Sequence, residues 1–150
     1  MTLIKTIIIW CGMYYATPQW MERQIPEHLR YQYEVYIVPY GTPLSSIKTK
    51  INPRTTALIG FSAGGLDVFK NYSSDYAFIG LIDPSTKPHY NQLKYTNNVH
   101  MLYDISNWGY INQNLSVAAD AVTRGGGEAI HIDMGHNEIP KYFFIKYFSI

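Results

Sequence analysis

Short apolar runs rich in Ile, Val and Leu alternate along this 150-residue chain with polar segments that are long enough to form helices. Continuous runs of this kind are typical of strands that are buried on both faces. Strands and helices in alternation build a parallel sheet that is covered by helices. The pattern therefore predicts an α/β three-layer sandwich, with a mostly parallel sheet of about six strands and helices on both faces.

The boundaries of the predicted elements follow from the same pattern. We expect helices where polar segments separate the runs, at residues 18–33, 44–50, 66–72 and 110–124. The aromatic tail, residues 141–150, predicts a last helix packed on the sheet. No repeat or linker divides the chain, so residues 1–150 are expected to form a single domain. The predicted strands cover residues 5–10, 33–39, 55–61, 76–82, 99–103 and 129–132.

Composition argues against several classes of protein. Twelve Lys and Arg residues against eleven Asp and Glu residues give a formal charge of +1. A charge this small provides no electrostatic attraction for nucleic acid or anionic lipid. No window reaches the roughly 18 apolar residues that a membrane span needs. The single cysteine, Cys11, can form neither an internal disulfide nor a cysteine-based metal site. We expect a cytoplasmic protein without a nucleic-acid partner, and the apolar tail also allows a homodimer contact.

The sharpest motif is the G-x-S-x-G sequence at residues 60–64, between a predicted strand and a predicted helix. A serine at such a turn has a strained backbone, and the flanking glycines permit this because they let the neighbouring chain pass closely. The hydroxyl is then held above the sheet edge, where ligands of parallel sheets bind. Ser62 is therefore the predicted nucleophile.

A serine nucleophile needs a base that accepts its proton. His136 follows the last predicted strand, where its imidazole can reach Ser62; the other four histidines lie in polar segments, within a strand or at the start of one. A carboxylate must then orient the imidazole. We prefer Asp104, which closes the fifth apolar run, over Asp83, which closes the fourth and precedes a proline as a turn former would.

With these features the chain resembles a small α/β-hydrolase of the serine esterase and lipase type. The resemblance rests on residues 9–13, residues 60–64, the strand that ends at Asp104, and residues 135–136. It implies a minimal α/β-hydrolase fold without an inserted cap domain. The pocket should then be shallow and open, which suits short or exposed acyl groups better than long buried ones. We expect Trp108 near its mouth because this residue closely follows Asp104.

The resemblance also assigns the oxyanion hole and widens the choice of the acid. It implies that the backbone amides of Met13 and Ala63 stabilise the negative oxygen of the tetrahedral intermediate. The family's register puts Asn107 where a carboxylate is expected. Asp104, Asp83 and Asn107 therefore stay open as the third member of the triad.

The leading hypothesis is a serine hydrolase that cleaves a small-molecule carboxylic ester or thioester through an acyl-enzyme, with Ser62, His136 and Asp104 as the triad. This reaction needs no cofactor and no metal. The alternative is a catalytically inactive protein of the same fold that binds a ligand or partner. A third hypothesis takes Cys11 as the nucleophile.

Overall fold

The computed structural model describes residues 3–85, 97–107 and 112–148, except for the side chains of residues 112–114. Within these ranges, six strands form one sheet in the order β2-β1-β3-β4-β5-β6, and every neighbouring pair is parallel. This confirms the predicted α/β class and the six-stranded parallel sheet. The strands are β1 (Thr6–Trp10), β2 (Glu34–Val38), β3 (Thr56–Phe61), β4 (Phe78–Ile82), β5 (Val99–Tyr103) and β6 (Glu128–His131).

Helices cover both faces of the sheet. Side chains of β1 alternate between two apolar clusters, with Ile7 and Ile9 in one and Ile8 and Trp10 in the other. Helices α1, α2 and α5 contribute to the first cluster, whereas α3 and α4 contribute to the second, so the protein has three layers. The helices are α1 (Pro18–Glu22), α2 (Leu29–Gln32), α3 (Gly64–Asn71), α4 (Asn112–Arg124) and α5 (Ile139–Phe148).

The sheet is buried on both sides at its centre, as the continuous apolar runs predict. Every residue of β3 and β4 is buried, whereas the edge strands β2 and β6 are partly exposed. Helix α5 packs Phe143, Phe144 and Phe148 into the core, so the aromatic tail is the predicted last helix. A homodimer contact on this helix stays a prediction. No helix within the described ranges is long and apolar enough to cross a bilayer.

Two predicted helices differ from the structure by more than their end residues. The helix expected at residues 18–33 is divided into α1 and α2, and Pro26 lies in the gap, where it removes an amide donor and disfavours helix at the preceding residue. The helix expected at residues 44–50 is a single 3-10 turn, Leu44–Ser46. There the hydroxyl of Ser46 donates to the carbonyl oxygen of Pro43, a side-chain bond that competes with helical continuation.

The order of the strands positions the functional edge of the sheet. From β1 the chain runs outward to β2 and then returns to β3 on the opposite side, so the direction of winding reverses between β1 and β3. Trp10 lies opposite Gly60 in this pair, and the two strands end side by side. The crevice at the carboxyl ends of two such strands is the usual ligand site of an open parallel sheet.

Candidate active site

Ser62 lies in the sharp turn that joins β3 to α3. Its φ of 57° is in the left-handed region, as the G-x-S-x-G motif predicts. A Cβ on Gly60 would meet the carbonyl oxygen of Gly64 and lie 2.8 Å from the Cα of Gly65, and a Cβ on Gly64 would lie 2.7 Å from the carbonyl oxygen of Cys11. Both motif glycines are therefore required by close backbone packing.

Backbone hydrogen bonds hold the turn of Ser62 against the end of β4. The amide of Ser62 donates to the carbonyl oxygen of Ile82 at 3.0 Å, and the amide of Ser85 donates to the carbonyl oxygen of Ser62 at 2.8 Å. Asp83 lies between these two residues of the β4 end. The serine and this aspartate are thus fixed next to each other by the main chain.

His136 is paired with Asp83. Its Nδ1 lies 2.5 Å from Oδ2 of Asp83, whose side chain is fully buried, while the side chain of His136 keeps 23% of its surface exposed. The imidazole also stacks on the ring of Phe61, with the centroids 4.7 Å apart. An Nδ1–H that donates to the carboxylate leaves Nε2 as the nitrogen that accepts a proton, which is the arrangement a general base needs.

The preferred acid of the sequence analysis, Asp104, has a different position. Its Oδ2 accepts the amide of Met134 at 3.0 Å, and its Oδ1 accepts the amide and the hydroxyl of Ser106 at 3.0 and 2.7 Å. Asp104 therefore holds the loop that contains His136 through a hydrogen bond to the main chain. The carboxylate that lies at Nδ1 of His136 is that of Asp83. The reason is strand order, because β4 is the direct neighbour of β3 and β5 lies one strand further away.

The environment of Asp104 favours its ionised form. Burial alone would raise the pKa of Asp104, but the hydrogen bonds from Ser106 and Met134, together with nearby His131, outweigh it and hold that pKa below its usual value. His131 Nε2 lies 3.5 Å from Oδ1 of Asp104. The carboxylate of Asp104 thus holds Ser106 and Met134 by hydrogen bonds and lies beside His131.

Asn107, the other alternative for the acid, bridges the pair to the same loop. Its side-chain amide donates to Oδ2 of Asp83 at 3.1 Å and to the carbonyl oxygen of Met134 at 3.0 Å. The amide of Asp104 donates to Oδ1 of Asp83 at 2.9 Å. The carboxylate of Asp83 therefore accepts hydrogen bonds on both oxygens, which satisfies a buried charge. Sequence reasoning did not find this bridging role of Asn107.

One cavity of about 270 Å³ brings the candidate groups together. Its lining includes Ser62, His136 and the two residues with predicted oxyanion amides, Met13 and Ala63. Within the ranges described above, neither of these two amides donates a hydrogen bond to another protein group. Unpaired amides beside a nucleophile are suited to bind a negative oxygen.

The segment after β1 closes the cavity from one side. A Cβ on Gly12 would lie 3.1 Å from the Cβ of Ser62, so this glycine lets the segment pack on the serine. Further along, the hydroxyl of Tyr15 donates to Oδ1 of Asn137, and the Tyr15 ring meets Trp20 edge-on with centroids 5.7 Å apart. The segment after β1 is thereby tied to the loop of His136.

Backbone strain is concentrated at this edge of the sheet. Among the described non-glycine residues, positive φ occurs at Tyr14 (61°), Ser62 (57°) and Asp83 (41°). These residues follow the ends of β1, β3 and β4, the three adjacent strands at the centre of the site. Left-handed backbone costs free energy outside glycine and is retained most often where function requires the geometry.

Cys11 is not suited to act as the nucleophile. Its side chain is fully buried, and burial raises the pKa of its thiol to about 12. Because the thiolate is the reactive form, a thiol in this state is inert near neutral pH.

Trp108, which is expected near the pocket mouth, lies outside the described residues. In the part of the chain that the structure describes, no group of three or more His, Cys, Asp or Glu could hold a metal ion.

Comparison with known proteins corrects the expected family. No family model matches the chain, and no curated protein matches it. A similar solved structure is that of a short-chain flavodoxin associated with a non-canonical PDU bacterial microcompartment. It has 13% sequence identity and a TM-score of 0.38, with 94% of this chain and 93% of that chain covered.

The expected membership of the α/β-hydrolase family, and with it the classification as a hydrolase on family grounds, is wrong: no family model matches the chain, and the similar solved structure reported above is a flavodoxin. What the fold and site define is a three-layer α/β protein with an all-parallel, six-stranded sheet. At the carboxyl edge of that sheet lie Ser62 and a His136–Asp83 pair.

Proposed function

We propose that the protein is an enzyme that hydrolyses carboxylic esters or thioesters through Ser62, His136 and Asp83. One observation carries the proposal: a histidine held 2.5 Å from a buried carboxylate lines the same cavity as a serine with left-handed backbone. Left-handed backbone at a serine and the desolvation of a buried carboxylate both cost free energy, and catalysis by an activated serine gives a reason for them to occur together. The proposal rests on these residues and does not depend on a family.

In the first half of the reaction, Oγ of Ser62 attacks the carbonyl carbon of the ester, and its proton passes to Nε2 of His136. The carbonyl oxygen becomes negative, and the amides of Met13 and Ala63 donate hydrogen bonds to it. The tetrahedral intermediate collapses when the bond to the alcohol oxygen or thiol sulfur breaks. His136 returns the proton to that atom, and the acyl group remains on Ser62.

In the second half, a water molecule attacks the acyl-enzyme while His136 Nε2 accepts its proton. The new tetrahedral intermediate collapses, the bond to Oγ of Ser62 breaks, and His136 returns the proton to Oγ. The carboxylic acid leaves and the enzyme is restored. Asp83 stabilises the imidazolium that forms in each half, because its carboxylate lies at Nδ1. Neither half consumes a cofactor.

Hydrolysis of 4-nitrophenyl acetate tests this proposal. We expect turnover by the purified protein and a loss of about 10³-fold or more in kcat for Ser62→Ala, since the attacking oxygen is removed. Circular dichroism would verify that the variant folds. Equal turnover by the wild-type protein and Ser62→Ala would contradict the proposal. Absence of any turnover in folded protein would favour the alternative, a protein that binds its ligand without converting it.

We infer that the protein acts in a reducing compartment such as the cytoplasm, because its single cysteine is buried and forms no disulfide.

A further inference from the structure

We propose that the acyl group of the substrate extends from Ser62 past Met13 into a second cavity, where it binds as an uncharged group with a bulky apolar end such as an aromatic ring. This inference rests on the proposed function and adds the class of acyl group to it.

The second cavity adjoins the cavity of Ser62. Its volume is about 580 Å³, and its lining includes Met13, Tyr14 and Ala16, which also line the cavity of Ser62. On its other sides lie Pro39 and Tyr40, which follow β2, and the start of α1. Met13, Tyr14 and Ala16 thus form a wall that the two cavities share, and the proposal takes a substrate bound at Ser62 over this wall into the second cavity.

Proton transfer decides which part of the substrate enters the second cavity. The leaving oxygen or sulfur must lie next to His136, because it receives its proton from that imidazole. His136 lines the smaller cavity, and neither His136 nor Ser62 lines the second one. Met13, whose amide we assign to the carbonyl oxygen, lines both. The part of the substrate beyond Met13 is thus the acyl part.

The lining of the second cavity favours an uncharged acyl group. None of its lining residues carries a charge, whereas two other cavities are lined by the ion pair of Glu22 and Arg30 or by the charged residues Asp67 and Lys70. A carboxylate or ammonium on the acyl group would enter this site without a partner, at a cost in desolvation.

Exposed aromatic surface favours a bulky apolar end. Tyr14 and Tyr40 keep 89% and 38% of their surface exposed although both line the cavity, and Met13, which lines this cavity and that of Ser62, keeps 46%. Exposed apolar side chains that cluster around a cavity are typical of a ligand site. The volume is also more than twice that of the cavity of Ser62, so this site has room for a longer acyl group.

Two esters with the same leaving group test the inference. 4-Nitrophenyl acetate and 4-nitrophenyl 4-phenylbutanoate differ only in the acyl group, so the ratio of their kcat/KM values reports the second cavity. We expect the wild-type protein to prefer the phenylbutanoate by about 10-fold, as burial of an aromatic ring against apolar side chains provides.

Variants of the residues that line the second cavity test whether this cavity causes the preference for the phenylbutanoate ester. Tyr40→Ala removes part of the wall and Gln19→Trp fills the space from an exposed position, so each should reduce the ratio at least about 3-fold. Because Gln19 is exposed, its variant is expected to fold even where Tyr40→Ala does not. Tyr31→Ala is the matched control, since Tyr31 is an exposed tyrosine outside the cavity lining, and it should leave the ratio unchanged.

The outcomes separate this inference from the proposed function. If hydrolysis of both esters persists in Ser62→Ala, the proposed function itself fails. If hydrolysis depends on Ser62 but the ratio is the same in the wild-type protein, Tyr40→Ala and Gln19→Trp, the acyl-binding role of the second cavity is overturned and the triad stands. A ratio that falls in both variants and not in Tyr31→Ala supports the inference.

Discussion

The amide of Met134 donates a hydrogen bond to Oδ2 of Asp104 at 3.0 Å, and this bond ties the loop that carries His136 to the end of β5. Asn107 holds the carbonyl oxygen of the same Met134 and, with the same amide nitrogen, Oδ2 of Asp83. The position of His136 therefore depends on Asp104 and Asn107 as well as on Asp83, whose carboxylate lies at its imidazole.

Asp83→Asn should abolish most of the esterase activity without unfolding the protein. An amide at this position no longer stabilises the imidazolium and favours the wrong tautomer of His136, so we expect kcat to fall by about 10³-fold or more. The measurement is kcat for 4-nitrophenyl acetate, with the circular dichroism spectrum as a check of folding. A larger loss of kcat in well-folded Asp104→Asn than in Asp83→Asn would show that Asp104 is the acid after all.

Asp104→Asn should act mainly on stability, and its effect should depend on pH. The pKa of Asp104 is lowered in the folded protein, so its stabilising contribution is complete above the ordinary value of 3.8 and is lost as the pH falls through the lowered value. We expect the variant to lose about 2 kcal/mol in the free energy of unfolding at pH 7, with a smaller difference below pH 3.8. Urea unfolding of the wild-type protein and the variant at pH 7 and at a pH below 3.8 measures this difference in the free energy of unfolding. The same difference at both pH values would contradict a stabilising role for the ionised carboxylate of Asp104.

Asn107→Ala should weaken the site without removing its chemistry. The substitution deletes the hydrogen bonds to Asp83 and Met134, so we expect a loss of about 10-fold in kcat and about 1 kcal/mol in stability. Asn107→Asp is expected to be worse than Asn107→Ala because it places a second carboxylate against Asp83. Steady-state kinetics and urea unfolding compare the activity and the stability of the two variants. An unchanged kcat in Asn107→Ala would show that Asn107 does not help to position His136 and Asp83.

The glycines around Ser62 should not tolerate any side chain. A Cβ at Gly60 would lie 2.8 Å from the Cα of Gly65, so Gly60→Ala is expected to cost several kcal/mol and to leave little folded protein. Gly135→Ala is the control next to His136, because the nearest atom to its added Cβ is 3.7 Å away. Thermal unfolding of the two variants should therefore differ sharply, and equal melting temperatures would mean that the turn is not packed as described.

Strain at residue 62 should be visible in stability. Ser62→Gly and Ser62→Ala both remove the hydroxyl, but only glycine adopts the φ of 57° without strain. We expect Ser62→Gly to be about 1 kcal/mol more stable than Ser62→Ala, with both inactive. Chemical denaturation at equilibrium compares them, and Ser62→Ala being the more stable of the two would argue against a strained turn.

The strands were predictable because burial on both faces leaves a continuous apolar run. The predicted boundaries of β5 agree with the structure, and β1 and β3 differ from prediction by one residue at one end. Helices were less predictable where local signals conflict, as at Pro26, which divides the first helical segment. Its place between residues 18 and 33 was itself a signal for a break.

The position of the acid could not be read from the sequence, because it depends on which strands are neighbours. Asp83 and Asp104 both close an apolar run, and each allows the chain order Ser, Asp, His. The tertiary structure places β4 beside β3, and the backbone bonds at Ile82 and Ser85 then bring Asp83 next to Ser62. A preference for sequential strands to be adjacent was the available signal, and it favours Asp83.

The most direct test of the central claim is mass spectrometry of the protein after reaction with a fluorophosphonate, which forms a stable adduct with an activated serine. We predict a single adduct on the peptide that contains Ser62, formed at least about 100-fold more slowly in His136→Ala and in Asp83→Asn. No adduct in folded wild-type protein, or an adduct on Ser62 that forms equally fast without His136, would contradict the account.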